Sequence, residues 1–263
     1  LGMKVIQRPS PRLMAVLDRV QLTPNMVRVT VGGDWIKELS GGIEGAHFKL
    51  YLPEAGETER AFAVRLSEGP RPTVRTYTIR YIRPGLGEID VDFVDHGDTG
   101  PASAWARRCR PGDVCGFGGP GPVKLKEFFA DTYLVAADMS ALPVAAATLE
   151  AMPRDATGQA FLEITDPMDQ QDIDAPDGVA LTWLIHPDPH EPPRQGLEII
   201  RSLPRLRGVV QTCIAGESSM IRALREEIIV NRRIPKQNAY ISGYWKIGLI
   251  EDEHQELKRS QAA

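Results

Sequence analysis

Apolar and polar residues alternate from Leu13 to Val31 in LMAVLDRVQLTPNMVRVTV, with Thr23-Pro24-Asn25 in the middle. A period of two marks a strand with one face in a core, so the stretch predicts two strands joined by a turn. A short helical piece is expected near Trp35 to Leu39. His47 to Leu52 reads as the next strand, with Phe48, Leu50 and Leu52 on its apolar side and Lys49 facing away. Glu54 to Arg60 reads as a polar loop. Arg75 to Arg80 and Ile89 to Val94 read as two more strands, and Pro84-Gly85-Leu86-Gly87 between them predicts a hairpin. A helix from Pro101 to about Arg108 follows, with proline near its first position, then a last strand from Val114 to Phe117.

From Tyr133 the pattern changes to short apolar runs alternating with helical segments, the signature of a parallel sheet with crossover helices. Strands are expected at Tyr133 to Ala137, Ala160 to Thr165, Val179 to His186, Val209 to Ala215 and Ala239 to Ser242. Helices are expected from Ala141 to Met152 with Ser140 as cap, from Gly196 to Leu203, from about Ser218 to Arg232, and from Glu251 to Arg259. Asp166 to Gly178, DPMDQQDIDAPDG, reads as an acidic loop. The expected division is residues 1–127 and residues 128–263.

Composition narrows the class without naming the chemistry. The 263 residues are 42% hydrophobic and 25% charged, as in ordinary globular proteins, which leaves room for two modest domains. A net charge of −4 gives no support for nucleic-acid binding. No apolar run approaches the roughly 18 residues a membrane span needs. Arg8, Pro9, Pro11 and Arg12 interrupt any signal-peptide core, and Leu1-Gly2 ahead of Met3 reads as a cloning remnant. Cys109, Cys115 and Cys213 are an odd number without CxxC spacing, which argues for thiols in a reducing cytoplasm rather than disulfides or an iron–sulfur site. Five scattered histidines without HExxH argue against a bound metal.

The richest stretch is RTYTIRYIRPGLGEIDVDFVDHGDTGPASAW, residues 75–105. Alternation puts Arg75 and Tyr77 on one strand face, a fixed cation beside an aromatic ring with a polar tip, as a planar cofactor carrying phosphates would use. Thr78 falls on the other face, so it would act through its backbone or a local bend. His96-Gly97-Asp98-Thr99-Gly100-Pro101-Ala102-Ser103 enters a helix with little side chain in the way, which suits a phosphate. An edge hairpin with a solvated arginine fits the spacing equally well. Gly116-x-Gly118-x-x-Gly121 matches the dinucleotide fingerprint formally. Pro120 and Pro122 follow at once and no helix opens there, so it reads as a loop.

Arg75-x-Tyr77-Thr78-x-Arg80, Asp92-Phe93-Val94-x-His96-Gly97 and Gly100-Pro101-Ala102-Ser103-x-Trp105-Ala106 together resemble the siderophore-interacting proteins, flavin-dependent ferric-siderophore reductases of the ferredoxin-reductase-like superfamily. Ala215-Gly216-Glu217 and Gly243-Tyr244-Trp245-Lys246-x-Gly248 extend the resemblance to nearly the whole chain. It implies a six-stranded antiparallel FAD-binding barrel followed by a Rossmann-like parallel α/β domain for NADH or NADPH. By resemblance Arg75, Tyr77 and Thr78 hold the isoalloxazine and ribityl portion, Asp92, Phe93 and Val94 line the flavin, and His96 with Gly100, Pro101, Ala102 and Ser103 approaches the pyrophosphate. Trp105 reads either as an aromatic contact or as helix core. Lys49, Lys124 and Lys246 are the candidates for a ferric-chelate pocket, with Lys126 a further basic residue nearby.

In an open α/β sheet, ligands sit beyond the carboxyl ends of the strands, which here carry Asp138, Asp166, Gly216 and Glu217 as candidate nicotinamide-nucleotide contacts. The family pattern Ala-Gly-Asp-Glu-Thr-Ala-Leu-Pro departs here to Ala137, Met139 and Ser140 at its glycine, glutamate and threonine. An acid at Asp166 favours NADH over NADPH, because it accepts from a ribose hydroxyl and repels a 2′-phosphate. The resemblance implies a cytoplasmic, monomeric enzyme that passes electrons from NAD(P)H through FAD to a ferric siderophore. Two alternatives stand beside it: a flavin reductase of the same fold serving another acceptor or a ferredoxin, and a non-enzymatic chelate-binding module.

Overall fold

The computed structural model describes residues 10–262, so the expectations for Leu1-Gly2, Arg8 and Pro9 lie outside the described residues. The first half contains β1 (Arg12–Thr23), β2 (Met26–Gly32), β3 (His47–Leu52), α1 (Glu59–Glu68), β4 (Thr73–Thr78), β5 (Tyr81–Arg83), β6 (Glu88–Val94), α2 (Pro101–Arg108) and β7 (Val114–Gly118). Its strands form one antiparallel sheet in the order β4-β3-β7-β1-β2-β6-β5. Inward residues such as Val27, Val29, Leu50, Val91, Phe93 and Phe117 fill its interior, as the alternation predicts.

The two ends of this sheet are consecutive in the chain. Ile79 pairs with the β3 side, through Gly45 N to Ile79 O at 2.8 Å and Ile79 N to Ala46 O at 2.9 Å, while Arg80 N reaches Asp90 O at 2.9 Å on the β6 side. Counted as one bent strand, β4 and β5 make six, and the sheet curls round to join its own ends. The expected hairpin is therefore corrected. Pro84 to Gly87 joins β5 to β6, whereas β4 runs antiparallel to β3 with His47 opposite Thr78. Thr78, Ile79 and Arg80 are buried in succession, so the chain is covered on both faces where it passes from β4 to β5.

Helix α1 replaces part of the expected loop. Thr58 caps it by accepting from Ala61 N, and Phe62 and Leu66 pack on Val114. Two apolar residues at a spacing of four are a thin signal for a ten-residue helix.

The second half holds β8 (Thr132–Ala137), α3 (Leu142–Ala151), β9 (Thr157–Ile164), β10 (Gly178–Ile185), α4 (Gln195–Ser202), β11 (Val210–Glu217), α5 (Ser218–Arg225), β12 (Ala239–Trp245) and α6 (Glu251–Ala262). The sheet is parallel, in the order β10-β9-β8-β11-β12. Two helix boundaries differ from expectation. Ala141 precedes α3 without a side-chain cap, because the Ser140 hydroxyl bonds to Asp138 instead. The helix expected to reach Arg232 stops at Arg225 and continues as a π-helical turn over Glu226–Asn231. Among the described residues, no helix is long and apolar enough to cross a membrane.

The halves are joined by buried polar contacts. Arg80 forks onto Glu150 of α3. Asp169, in the acidic loop, is fully buried and accepts from Thr23 Oγ1, Asn25 N and Asn25 Nδ2 at 2.7, 2.9 and 2.8 Å.

Candidate functional site

Strand β4 presents Arg75 and Tyr77 along one face. The Tyr77 ring lies 4.4 Å from Phe93 between centroids, and Phe93 lies 5.9 Å from Trp105, so three of the expected residues form an aromatic row. Burial pushes the Tyr77 hydroxyl up, keeping it neutral at physiological pH. Arg75 meets the first turn of α6, with Glu251 at 3.6 Å and Asp252 at 3.4 Å, and Thr76 N donates to Glu251 at 3.0 Å.

Beyond the row, residues 95–100 turn into α2. Gly97 sits at φ +81°, a left-handed conformation that favours glycine. A Cβ on Gly100 would stand 3.3 Å from the His96 ring. The Ser103 hydroxyl donates to Gly97 O at 2.8 Å and accepts from His96 N, which holds the turn against the helix. Helix α2 opens at Pro101 without a side-chain cap, so the N–H groups of Ala102 and Ser103 have no acceptor inside the helix. An open helix start, a nearby arginine and a row of aromatic faces suit a flavin dinucleotide in both charge and shape. His96 shifts down through burial, which keeps it neutral.

Other expected residues have committed side chains. Both oxygens of Asp92 accept from Arg28, at 2.7 and 2.9 Å. Val94 packs on the core of the second half, and Thr78 is buried.

At the carboxyl edge of the second sheet, Asp138 is enclosed. One oxygen takes Ser140 N and Oγ, and the other takes Glu217 N at 2.9 Å and Trp245 Nε1 at 2.8 Å. Burial raises its pKa, and these donors oppose the rise. Glu217 turns its carboxylate onto Ser219 N and Met220 N, at 2.9 and 3.1 Å, and so caps α5 itself. Gly216 is required here, since a Cβ would lie 2.7 Å from the Asp138 carboxylate. Glu163 faces the same two acids and is pushed up to about 7, by burial first and then by Asp138. Asp166 caps the turn Pro167–Asp169 by accepting from Met168 N at 2.8 Å.

Between the halves, Lys49 of β3, Lys124 after β7 and Lys258 of α6 all act on His47. Lys49 Nζ donates to Thr76 Oγ1 at 2.6 Å, and Lys258 Nζ donates to Gly243 O at 2.9 Å. The resemblance grouped Lys246 with the first two, and here Lys246 and Lys258 both act on His254. Lys258 was missed. Glu251, His254 and Lys258 share one face of α6 by helical spacing, and that signal could have found it.

With this geometry in place, comparison with known proteins is decisive. The model of the siderophore-interacting FAD-binding domain matches residues 15–124, and that of the siderophore-interacting protein matches residues 130–248. The ferric vibriobactin reductase of Vibrio cholerae is 32% identical over 261 residues, covering 95% of each chain. The chain belongs to the siderophore-interacting protein family. The siderophore-interacting protein from Aeromonas hydrophila superposes with a TM-score of 0.82 at 30% identity, covering 96% of this chain and 98% of the other. A siderophore utilization protein from T. fusca gives 0.78 at 30% identity, covering 93% and 97%. A ferredoxin reductase of carbazole 1,9a-dioxygenase, at 17% identity and a TM-score of 0.64 over 90% of this chain and 70% of that one, shows the shared fold alone.

Proposed function

We propose that this protein is an FAD-dependent ferric-siderophore reductase, fed by NAD(P)H. The observation that carries the reading is the Tyr77–Phe93–Trp105 row beside β4, with Lys49 bonded to Thr76 of the same strand and acting on His47 together with Lys124 and Lys258, in a chain whose relatives include a ferric vibriobactin reductase and a ferric acinetobactin reductase. FAD, when bound, converts a two-electron reduction into single-electron transfers to iron.

The chain's own residues position and charge the site. Arg75 and Tyr77 lie along the isoalloxazine and ribityl portion, and the uncapped start of α2 holds phosphate. Tyr77 and Trp105, tilted on either side of buried Phe93, are the partly exposed aromatics beside the ring system. Lys49, Lys124 and Lys258 attract an anionic ferric chelate and orient it toward that plane. A unit charge at about 4 Å is worth about 4 kcal/mol at surface-like dielectric before desolvation, so several cations are needed to hold such a substrate. No proton transfer is required for the electron step. The boundary near Phe128 then separates a flavin half from a reductant half. Every residue the reading uses lies in one chain, so a monomer suffices. Three buried unpaired thiols are compatible with the cytoplasm.

Asp166, half-buried at the sheet edge, keeps NADH in favour over NADPH in this reading. A second reading of the donor rests on Glu217. Its carboxylate fills the start of α5, and Asp138 and Glu163 add two acids beside it, a poor setting for a pyrophosphate. A ferredoxin as donor follows from that observation.

The test is an anaerobic titration of the yellow purified protein with each pyridine nucleotide, then addition of a ferric siderophore to the reduced enzyme. Bleaching followed by reoxidation is the expected result. Bleaching by photoreduction alone, with reoxidation intact, would move the donor to ferredoxin. Absence of reoxidation by any ferric siderophore would overturn the function.

A further inference from the structure

His47 stands at the end of β3, where both halves of the chain meet the lysine trio. Its Nε2 lies 2.6 Å from the Tyr244 hydroxyl, and Tyr244 lies 2.8 Å from the Tyr240 hydroxyl, both on β12. The row therefore crosses from the barrel to the second sheet. Among the described residues, the charges that act on His47 are Lys124, Lys258 and Lys49, from the loop after β7, from α6 and from β3. Burial first and then these cations push it down to about 4. Two acids reach this region: Asp138 acts on Tyr244, and Glu251 of α6 is engaged with Arg75 and Thr76.

We propose that His47 takes up a proton when a polyanionic chelate settles among Lys49, Lys124 and Lys258, so that substrate binding is proton-linked. The inference rests on the chelate-pocket reading above. Its physics is a reversal of local potential: three lysines disfavour a fourth positive charge, and an anion that neutralises them removes that objection. The imidazole then rises by the part the lysines contributed, while burial still opposes its charge.

The tyrosine row accommodates both states. With His47 neutral, Tyr244 donates to Nε2 and Tyr240 donates to Tyr244. With His47 charged, Nε2–H donates to the Tyr244 oxygen and the Tyr244 hydroxyl turns toward Tyr240. A phenol hydroxyl both donates and accepts, so Tyr244 is matched in either state, and in the charged one the Tyr240 proton has to find an acceptor off the row. The direction of the effect follows. Because the bound form holds the extra proton more tightly, affinity rises as pH falls from the raised bound-state value toward the free value, by at most about tenfold per pH unit.

The probe is hexacyanocobaltate(III), a redox-inert trianion that does not itself titrate in this range. Calorimetric titration of the FAD-loaded protein, at pH 5.5 to 6.5 in two buffers of different ionisation enthalpy, gives the protons taken up. Net uptake of a fraction of a proton is expected, and loss of that uptake in His47→Gln with binding retained. In parallel, NMR of the His47 ring should show its titration midpoint rising by at least about one pH unit when the trianion is added. Buffer-independent heat in the wild type, equal uptake in His47→Gln, an unmoved His47 midpoint, or no binding of the trianion would each overturn the proposal. The flavin reoxidation test is separate: its failure with uptake intact would remove the siderophore and leave a proton-linked polyanion pocket.

Discussion

Arg80, at the bend between β4 and β5, and Glu150, near the end of α3, exchange two hydrogen bonds of 2.7 and 2.8 Å across the join of the two sheets. Arg80 is 1% exposed, and Tyr81 adds a third bond to the same carboxylate at 3.1 Å. The pair fixes the bend that closes the barrel and fixes the second sheet against it. Glu150→Ala leaves a buried guanidinium without its partner and should destabilise by about 3–5 kcal/mol. Thermal unfolding followed by circular dichroism measures it, and a loss below 1 kcal/mol would refute this account of the join.

The acids at the join give a pH signature. Arg80 holds Glu150 low, and Asn25 and Thr23 hold Asp169 low, each against the opposing effect of burial. Both are depressed in the folded state. Their contribution is therefore present above the unfolded carboxylate value of about 4 and is lost as pH falls through the folded values. The unfolding temperature should drop steeply below about pH 4, and less steeply in Asp169→Asn.

Glu163 carries the opposite sign. Its pKa is raised to about 7, so its stabilising protonated form is present below the unfolded value and is lost as pH rises through about 7. Glu163→Gln should raise the unfolding temperature at pH 8 by roughly 2–4 °C and leave it nearly unchanged at pH 4. Equal shifts at both pH values would contradict the crowding of acids at this edge.

Arg75 is a cation that acts on Tyr77 of the aromatic row, so Arg75→Ala should weaken FAD binding about 10- to 100-fold, the usual loss for a charged hydrogen bond. Quenching of flavin fluorescence during reconstitution gives the constant directly. Retention of full affinity would show that Arg75 serves its ion pairs with Glu251 and Asp252 and not the flavin.

The lysine trio is tested by comparison within one pair of variants. Lys258→Ala should weaken hexacyanocobaltate(III) binding about three- to fivefold, as for a partly exposed ion pair, and Lys246→Ala should change it less. The reverse order would favour the grouping of Lys246 with Lys49 and Lys124 that the family resemblance implies.

Much of the architecture was legible in the residues. Alternation from Leu13 to Val31 located β1 and β2, and the change of texture after Tyr133 separated an antiparallel from a parallel half. Arg75, Tyr77, Phe93 and Trp105 were picked out as one group, and three of them share an aromatic row. The small α1 was hidden because only Phe62 and Leu66 mark its buried face.

What the sequence determined by itself was periodicity, residue chemistry and family pattern, because these depend on neighbours within a few positions. Pairing was decided by the tertiary structure. A strand's alternation states which face is buried but not which strand lies alongside, so β4 could be matched to β3 only in the folded chain. The same holds for the site: Lys258 is 209 residues from Lys49 along the chain, since 258 − 49 = 209, and charge acts through space rather than along sequence.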